Sequence, residues 1–377
     1  MKALKLPEPR PARDLRRVSS YPCQLELSIG EKCNLACDYC FVDKSSPAVA
    51  RWSAVRRAID TILSYPHERF TITFTTMEPL LHAETWKRAV DHILSVADKK
   101  GLEVKIITTT NGLLLTDSVR RFIEATDERL WINISLDGLP ASHNRHRLLH
   151  GGSGRDSFAL SWKNFDALPR NRTRVICTIC PSEAPALSRN LDFFLQEGFL
   201  HIDLFPDILS LWSRKRLALV SRQIERFIER INPASGRYNL RLLNRLWGTP
   251  YNEKILFGSD ERYYAYEGVL LIPYEQRAPY IVGNAADGPD LALRQRLFGD
   301  IFSEFARRTG DACAACRFNG ICSYPTPLLL WCDSRGLDLR RYFDSFGRVA
   351  QAFIELSQRV EERSRNATDE ARLRSLR

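Results

Sequence analysis

Short apolar runs alternate with amphipathic stretches between residue 24 and about residue 206. The runs are rich in β-branched and aromatic residues and predict strands, whereas the stretches between them repeat apolar residues at helical spacing. Such alternation is typical of parallel βα units. Six units fit either a barrel of which part is missing or an open doubly wound sheet, and periodicity alone does not separate the two. The predicted strands are residues 24–29, 70–74, 104–108, 130–136, 174–179 and 200–205.

The alternation stops after Pro206, where a basic helical stretch follows. A second module begins near Tyr251 and contains a predicted hairpin, a short helix and a cysteine-rich segment. From about Asp338 the sequence predicts a helix with one apolar face that ends in a charged tail. The chain therefore divides into an N-terminal extension, a parallel α/β domain, a basic helical connection, a cysteine-rich module and a C-terminal helix with its tail, with predicted bounds 1–22, 23–210, 211–250, 251–335 and 336–377.

The composition is that of an ordinary globular protein. With 377 residues, 44% of them hydrophobic and 27% charged, the chain is neither disordered nor of low complexity. The net charge of +10 suits an anionic partner such as an acidic peptide or a nucleic acid, and it is also compatible with solubility alone. No stretch reaches the roughly 18 consecutive apolar residues of a membrane span, and the N-terminus has no apolar signal core. We therefore expect a cytoplasmic protein with no membrane partner.

Ten cysteines change this picture, because they are clustered. In a reducing compartment clustered cysteines are metal ligands or catalytic groups more often than disulfides. Cys33, Cys37 and Cys40 form a CxxxCxxC loop directly after the first predicted strand. Three thiolates can hold three irons of a 4Fe-4S cluster and leave the fourth iron open to another ligand. The alternative is a zinc loop, although zinc prefers four ligands and no fourth cysteine or histidine is near in sequence.

The segment CNLACDYCF, residues 33–41, resembles the CNxxCxYCF phrase of the radical S-adenosylmethionine (SAM) enzymes. In that family the aromatic neighbours, here Tyr39 and Phe41, shield the cluster. The resemblance implies an α/β fold with a partial (β/α)6 barrel of the TIM type. It also implies that the open iron binds the amino and carboxylate groups of SAM. Reductive cleavage then gives methionine and a 5′-deoxyadenosyl radical, which abstracts hydrogen from the substrate.

A second phrase, FTTMEPLL at residues 74–81, resembles the family's FxGGEPLL at the end of the second strand. Glu78 matches, and Thr76 and Met77 replace the two glycines. The backbone of this ridge pairs with the SAM amino group in the family, and glycine eases the close approach. We therefore expect altered packing of the SAM site around Thr76 and Met77 rather than loss of binding.

Two further phrases follow in the family's order. TTNGLLL at residues 109–115 resembles TNGxLL after the third strand, and ISLDGLPASHNRHR at residues 134–147 resembles the SLDGxxxxHDxxR phrase of the peptide-modifying branch. Alone, the Asn-Gly and Asp-Gly pairs are ordinary turn dipeptides. Together, each at the end of a strand where barrel enzymes place their sites, they favour function. The resemblance implies SAM contacts from Asn111, Ser135, Asp137 and Arg147.

The second cysteine cluster resembles the C-terminal appendage called SPASM, or twitch in its shortened form. The predicted hairpin at residues 262–284 contains no cysteine, and Thr326 stands where the full SPASM pattern has one. These losses all belong to one of the two SPASM clusters. The resemblance therefore implies a small twitch-like α+β module with one auxiliary 4Fe-4S cluster, whose ligands are Cys313, Cys316, Cys322 and Cys332.

A zinc knuckle with the same four cysteines is the alternative. Cys332 is the weakest candidate ligand, because it lies in an apolar run where cysteine is often simply part of the core. The three remaining cysteines have no metal-binding pattern. They are Cys23, Cys177 and Cys180.

The resemblance implies a radical SAM enzyme that matures a ribosomally made precursor peptide by forming a crosslink or oxidising a side chain. An electron donor such as flavodoxin or ferredoxin is implied as well. Only about 20 residues precede the first strand, so we expect a separate protein or the basic helical connection to recognise the leader. Two alternatives stay open: a radical SAM enzyme acting on a small molecule or tRNA, and a non-catalytic iron–sulfur or zinc protein with a decayed SAM site, which Met77 would support.

Overall fold

The computed structural model describes residues 20–74, 77–150, 156–165, 168–231, 238–242, 253–310 and 325–374. The strands of this part of the chain form one sheet. They are β1 (Gln24–Leu27), β2 (Arg69–Phe74), β3 (Glu103–Thr110), β4 (Leu130–Ser135), β5 (Thr173–Ile179), β6 (His201–Pro206), β7 (Asn239–Leu242), β8 (Lys254–Phe257), β9 (Arg262–Tyr264), β10 (Ile281–Asn284) and β11 (Gly288–Pro289).

Helices join most neighbouring strands. Within the same ranges they are α1 (Trp52–Ile62), α2 (Ala83–Lys100), α3 (Asp117–Ala125), α4 (Pro140–His146), α5 (Ser157–Phe165), α6 (Leu187–Gln196), α7 (Arg214–Ile231), α8 (Leu291–Thr309), α9 (Pro325–Ser334) and α10 (Leu339–Arg374). None of these helices is both long enough and apolar enough to cross a membrane.

The strands β1 to β7 lie side by side in chain order, and every neighbouring pair is parallel. The six strands predicted from periodicity are confirmed to within two residues at each end. The structure has the parallel sheet of a partial TIM-type barrel. The prediction that alternation stops after Pro206 is wrong, because α7 leads into β7, which pairs with β6. The sequence pattern did not predict β7, a strand of four residues.

Local sequence explains where several helices begin and end. Helix α2 stops at Gly101, whose φ of 66° is the left-handed conformation that glycine adopts without steric cost. Helix α3 begins after Thr116, whose side chain accepts a hydrogen bond from the Val119 amide, and Asp290 caps α8 in the same way. The apolar side of α1 is buried, and Val55 and Ile59 are 0% exposed.

The second module continues the same sheet. β8 pairs with β1 in parallel, and β9 and β10 then follow in antiparallel fashion, which confirms the predicted hairpin. The helix after the hairpin, α8, has 19 residues and is longer than predicted. The C-terminal helix α10 is present from Leu339, and its predicted apolar face is buried.

Candidate functional site

The three-cysteine loop lies at the carboxyl edge of the parallel strands, directly after β1. Cys33, Cys37 and Cys40 are free thiols; the first two are half-buried and Cys40 is exposed. The carboxyl ends of parallel strands meet at one edge of the sheet. The loop therefore shares that edge with the segments that follow β2, β3 and β4.

The three thiols are close enough to act on one another electrostatically. Burial raises the pKa of Cys37 to about 12; Arg147 opposes this rise, and the neighbouring Cys40 and Cys33 add to it. Burial also raises the pKa of Cys33, against a hydrogen bond of 3.4 Å from the Leu35 amide to its Sγ. A cation and an N–H donor beside buried sulfurs favour the thiolate form that iron requires.

This donor set fits three ligands of a 4Fe-4S cluster. Across the part of the chain that the structure describes, no three His, Cys, Asp or Glu side chains converge as ligands of a single metal ion would. A 4Fe-4S cluster does not require such convergence, because each thiolate binds a different iron atom. The three cysteines could therefore hold the cluster that the sequence resemblance implies.

A buried ion pair lies next to this loop. Arg147 donates from Nε to Asp137 Oδ2 at 2.8 Å and from Nη2 to Oδ1 at 3.0 Å, and the two residues are 6% and 3% exposed. Tyr39 OH donates to Asp137 Oδ2 at 2.7 Å, and the Thr178 amide donates to Oδ1 at 2.9 Å. Burial alone would raise the pKa of Asp137, but the guanidinium of Arg147 holds it below its usual value. Asp137 is thus ionised, and it joins two other predicted site residues in one network.

Glu78 joins the ends of β2 and β3. Its carboxylate is 1% exposed and accepts hydrogen bonds from Thr110 Oγ1 at 2.9 Å and from the Asn111 amide at 2.8 Å. Burial raises the pKa of Glu78 to about 7, against these hydrogen bonds. The Asn111 side chain turns the other way and donates to Cys33 Sγ at 3.7 Å. Glu78, Asn111 and Cys33, which are far apart in sequence, are therefore direct neighbours.

The remaining predicted SAM-site residues within the described ranges are more exposed than Glu78 and Asp137. Met77 is half-buried, Ser135 ends β4 in a half-buried position, and the Phe41 side chain is 37% exposed. Thr76 lies outside the described residues. The SAM contacts of these residues stay predictions.

The auxiliary site is only partly within the described ranges. Cys332 lies in α9, 0% exposed, among apolar side chains of the core. The other predicted ligands lie outside the described residues; they are Cys313, Cys316 and Cys322. The auxiliary cluster therefore stays a prediction. Cys177 and Cys180 are both buried.

Sequence reasoning missed how the cysteine loop is fixed to the second module. Arg277 donates from Nη1 to Glu31 Oε2 at 2.5 Å, and each of the two residues is 1% exposed. Ser259 donates to the other Glu31 oxygen at 3.0 Å, and the Asp43 amide donates to the Leu270 carbonyl at 2.8 Å. These contacts bridge more than 220 residues of sequence. The only sequence signal for them is a pair of acidic residues that flank the three cysteines.

A second set of contacts holds the other side of the loop. The Asp38 amide donates to the His146 carbonyl at 3.0 Å, and the Asp38 carboxylate bonds His146 Nδ1 at 2.9 Å. The Ala36 amide donates to the Leu148 carbonyl at 2.7 Å. The loop is therefore fixed on both sides by elements outside the cysteine phrase.

Comparison with known proteins agrees with this geometry. Residues 27–180 match the family model of the radical SAM superfamily. Residues 27–180 are thus similar to the radical SAM superfamily.

Among curated relatives, this chain is 31% identical over 152 residues to GTP 3′,8-cyclase of Microcystis aeruginosa. That match covers 39% of this chain and 43% of the relative. It is 22% identical over 168 residues to the radical SAM cyclopropyl synthase TigE of Paramaledivibacter caminithermalis, covering 40% of this chain and 34% of the relative. The chain thus spans less than half the length of these curated relatives.

Solved structures share the fold over a larger part of this chain. Native anSMEcpe with bound AdoMet and the Cp18Cys peptide matches with a TM-score of 0.68 and 17% identity, covering 90% of this chain and 99% of that one. Streptococcus suis SuiB bound to its precursor peptide SuiA matches with a TM-score of 0.54 and 16% identity, covering 82% and 72%. At these identities the likeness shows a common fold.

Proposed function

We propose that the protein is a radical SAM enzyme that modifies a peptide. The observation that carries this proposal is the position of the cysteine loop. Cys33, Cys37 and Cys40 lie at the carboxyl edge of a radical SAM barrel, and Glu78 and the Asp137–Arg147 pair lie around them.

Cys33, Cys37 and Cys40 would bind three irons of the catalytic cluster. When bound, that cluster supplies the electron that splits SAM into methionine and a 5′-deoxyadenosyl radical. The protein's own groups prepare the site. The Leu35 amide and the Asn111 side chain donate hydrogen bonds to Cys33 Sγ, and such bonds stabilise negative charge on sulfur.

The other residues of the site hold its shape. Glu78 fixes the end of β3 through the Asn111 amide, so the Asn111 side chain remains directed at the cysteine loop. Arg147 and Asp137 neutralise each other beneath the loop, and Tyr39 is held there by its hydrogen bond to Asp137. Buried ionic groups that are fully hydrogen-bonded make a rigid support, and a rigid support keeps a reactive site in one geometry.

The peptide part of the proposal is supported by the structural neighbours, since anSMEcpe and SuiB both contain bound peptides. We propose that a precursor peptide is the substrate, that a separate protein or the basic helical connection recognises its leader, and that flavodoxin or ferredoxin supplies the electron. We also propose a twitch-like module with one auxiliary 4Fe-4S cluster held by Cys313, Cys316, Cys322 and Cys332, and a cytoplasmic location.

A nucleotide substrate is the second candidate. It is favoured by the 31% identity with GTP 3′,8-cyclase, which is higher than the identity with TigE. Against it, this match covers only 39% of the chain.

The test is release of 5′-deoxyadenosine by anaerobic, iron-reconstituted protein with SAM and dithionite. We expect release from the wild type and none from Cys37→Ala, which loses one ligand of the catalytic cluster. Absence of release from wild-type protein whose cluster is intact by electron paramagnetic resonance would refute the proposal. Deuterium carried into 5′-deoxyadenosine from a labelled peptide, and not from labelled GTP, would decide between the two substrate classes.

A further inference from the structure

Helix α7 presents a row of cations to solvent. Lys215, Arg222 and Arg226 are exposed, and they lie on one side of the helix because separations of four and seven residues return to the same side. We call these three residues the cationic ridge. At roughly 1.5 Å per residue the ridge is about 17 Å long. The opposite side of α7 is buried through six apolar residues, which are Leu217, Val220, Ile224, Phe227, Ile228 and Ile231.

The charges that flank the ridge on α7 are paired with other helices. One flank is bound to α6 and the other to α10, through the ion pairs Arg230–Asp192, Glu225–Arg359 and Glu229–Arg363. The ridge residues form no ion pair with any of these acids, nor with another residue in the part of the chain that the structure describes. This includes Glu355, which lies on α10 one turn before Arg359. The three ridge cations therefore remain available to a partner.

The positions of these cations are unfavourable for the helix itself. α7 begins with Arg214, Lys215 and Arg216 and has no acidic residue in its first turn. The amino end of a helix carries partial positive charge, so cations there are destabilising. Arg222 and Arg226 are four residues apart, and like charges at this separation repel each other. Helix stability therefore does not account for the ridge, whereas an anionic partner would relieve the repulsion.

The ridge begins at the same edge of the barrel as the cysteine loop. β6 ends at Pro206, and the segment from there to α7 is fixed by Trp212, whose Nε1 donates to the Asp207 carbonyl at 2.7 Å. Leu211 of this segment is 37% exposed. The cysteine loop follows the carboxyl end of the parallel strand β1, and α7 follows the carboxyl end of the parallel strand β6. A chain that lies along the ridge can therefore continue onto the edge where the cysteine loop lies.

We propose that the cationic ridge binds an acidic segment of the precursor peptide. This inference rests on the proposed function, and it names the surface and the charge that recognise the peptide. An extended segment of about five residues has the length of the ridge. Single-stranded RNA fits less well, because bases stack on exposed aromatic side chains and the aromatic residue of α7, Phe227, is buried. A membrane surface fits less well too, because the apolar side of α7 lies in the core.

The test is fluorescence anisotropy of the cluster-loaded protein with a labelled probe peptide of about ten residues, in which glutamate alternates with glycine. A neutral peptide in which glutamine replaces glutamate is the control probe. We expect saturable binding of the acidic peptide that weakens as salt is added, because salt screens exposed charges. We expect no binding of the neutral peptide. Equal binding of the two peptides would overturn the proposal.

The variant Lys215→Gln/Arg222→Gln/Arg226→Gln should bind the acidic peptide about tenfold more weakly, because it loses three exposed ion pairs of modest strength. It should unfold at the temperature of the wild type or above it, since glutamine is a good helix former and the repulsion is removed. Unchanged binding by this variant would overturn the proposal.

A matched control variant removes the same charge from three exposed cations of other helices and should bind the acidic peptide as the wild type does. Its glutamine substitutions are at Lys99 of α2, Arg121 of α3 and Arg296 of α8. If the control and the ridge variant lost binding equally, the effect would belong to net charge, and the assignment to α7 would be wrong.

Competition tests the other partners of a basic surface. Unlabelled acidic peptide should displace the probe at a lower concentration than single-stranded RNA of about ten nucleotides, and at a lower concentration than flavodoxin, the proposed electron donor. Stronger displacement by RNA or by flavodoxin would assign the ridge to that partner and overturn the peptide proposal.

Failure of this inference is distinguishable from failure of the proposed function. Peptide binding needs neither SAM nor an electron, whereas release of 5′-deoxyadenosine needs both. A wild-type protein that binds the acidic peptide but releases no 5′-deoxyadenosine would contradict the radical chemistry alone. A wild-type protein that releases 5′-deoxyadenosine but does not bind the acidic peptide would contradict the role of the ridge alone.

Discussion

Replacing Arg277 by methionine should destabilise the protein through the cysteine loop. In the wild type Arg277 and Glu31 form an ion pair that is almost completely buried, and Arg277 Nε also donates to the Ile272 carbonyl at 3.2 Å. Methionine retains the apolar part of the side chain but removes the charge. Glu31 is then left as a buried carboxylate that still accepts the hydrogen bond from the Ser259 hydroxyl.

The size of the effect follows from the loss of one partner in a buried pair, which costs about 3–5 kcal/mol. The unfolding entropy of roughly 2.1 cal/mol/K per residue gives roughly 0.8 kcal/mol per degree for a chain of 377 residues. The midpoint of thermal unfolding should therefore fall by about 4–6 °C. Because Glu31 is two residues before Cys33, we also expect less iron per chain after anaerobic reconstitution.

The measurement is calorimetry of reconstituted protein, together with iron analysis. The control is Arg51→Met, which breaks an exposed pair with Glu261 that also joins the barrel to the second module. It should shift the midpoint very little, because exposed pairs contribute little. The double variant Glu31→Gln/Arg277→Met should lose about 1–3 kcal/mol less than the sum of its single variants. Strict additivity, or equal shifts for Arg277→Met and Arg51→Met, would refute the reasoning.

Three further predictions concern the site itself. The triple variant of Cys33, Cys37 and Cys40 to alanine should retain about four irons per chain instead of about eight, since each 4Fe-4S cluster needs its thiolates; zinc in place of the remaining iron would contradict the auxiliary cluster. Met77→Gly should leave SAM affinity, measured by equilibrium dialysis, unchanged or improved, because glycine only removes crowding; complete loss of binding would show that Met77 is needed. The raised pKa of Glu78, about 7 when folded, means that its contribution to stability is complete below pH 4.5 and is lost as the pH rises to 7. In Glu78→Gln this dependence of the unfolding free energy on pH, at most about 1.4 kcal/mol per pH unit, should disappear. Urea unfolding at pH 5 and pH 7 tests this, and a pH dependence equal to that of the wild type would contradict the role of Glu78.

The parallel strands could be predicted because their signal is local. Each of the first six strands alternates with an amphipathic helix, and burial of one helix face is enough to produce that pattern. β7 and β8 were not predicted, because these four-residue strands lie outside the regular alternation of strands and helices that marks β1, a strand of the same length. Their place in the sheet is fixed by pairing with β6 and β1.

The site could be predicted only as a set of phrases. The sequence places Cys33, Glu78 and Asn111 at the ends of successive strands, and parallel pairing brings them together. It does not show that Arg147 is bound by Asp137, because that contact depends on how α4 returns to the strand edge. Whether Arg147 also contacts SAM stays a prediction.

The shared edge of β1 and β8 limits how the protein can be divided. β1 precedes the cysteine loop. β8 pairs in parallel with the outer edge of β1 through four residue pairs. A fragment ending before residue 253 would leave this edge strand open, and open edges recruit other chains. The barrel and the second module are therefore a poor choice for domain exchange: a graft of either part onto another protein must also bring a strand that closes this edge.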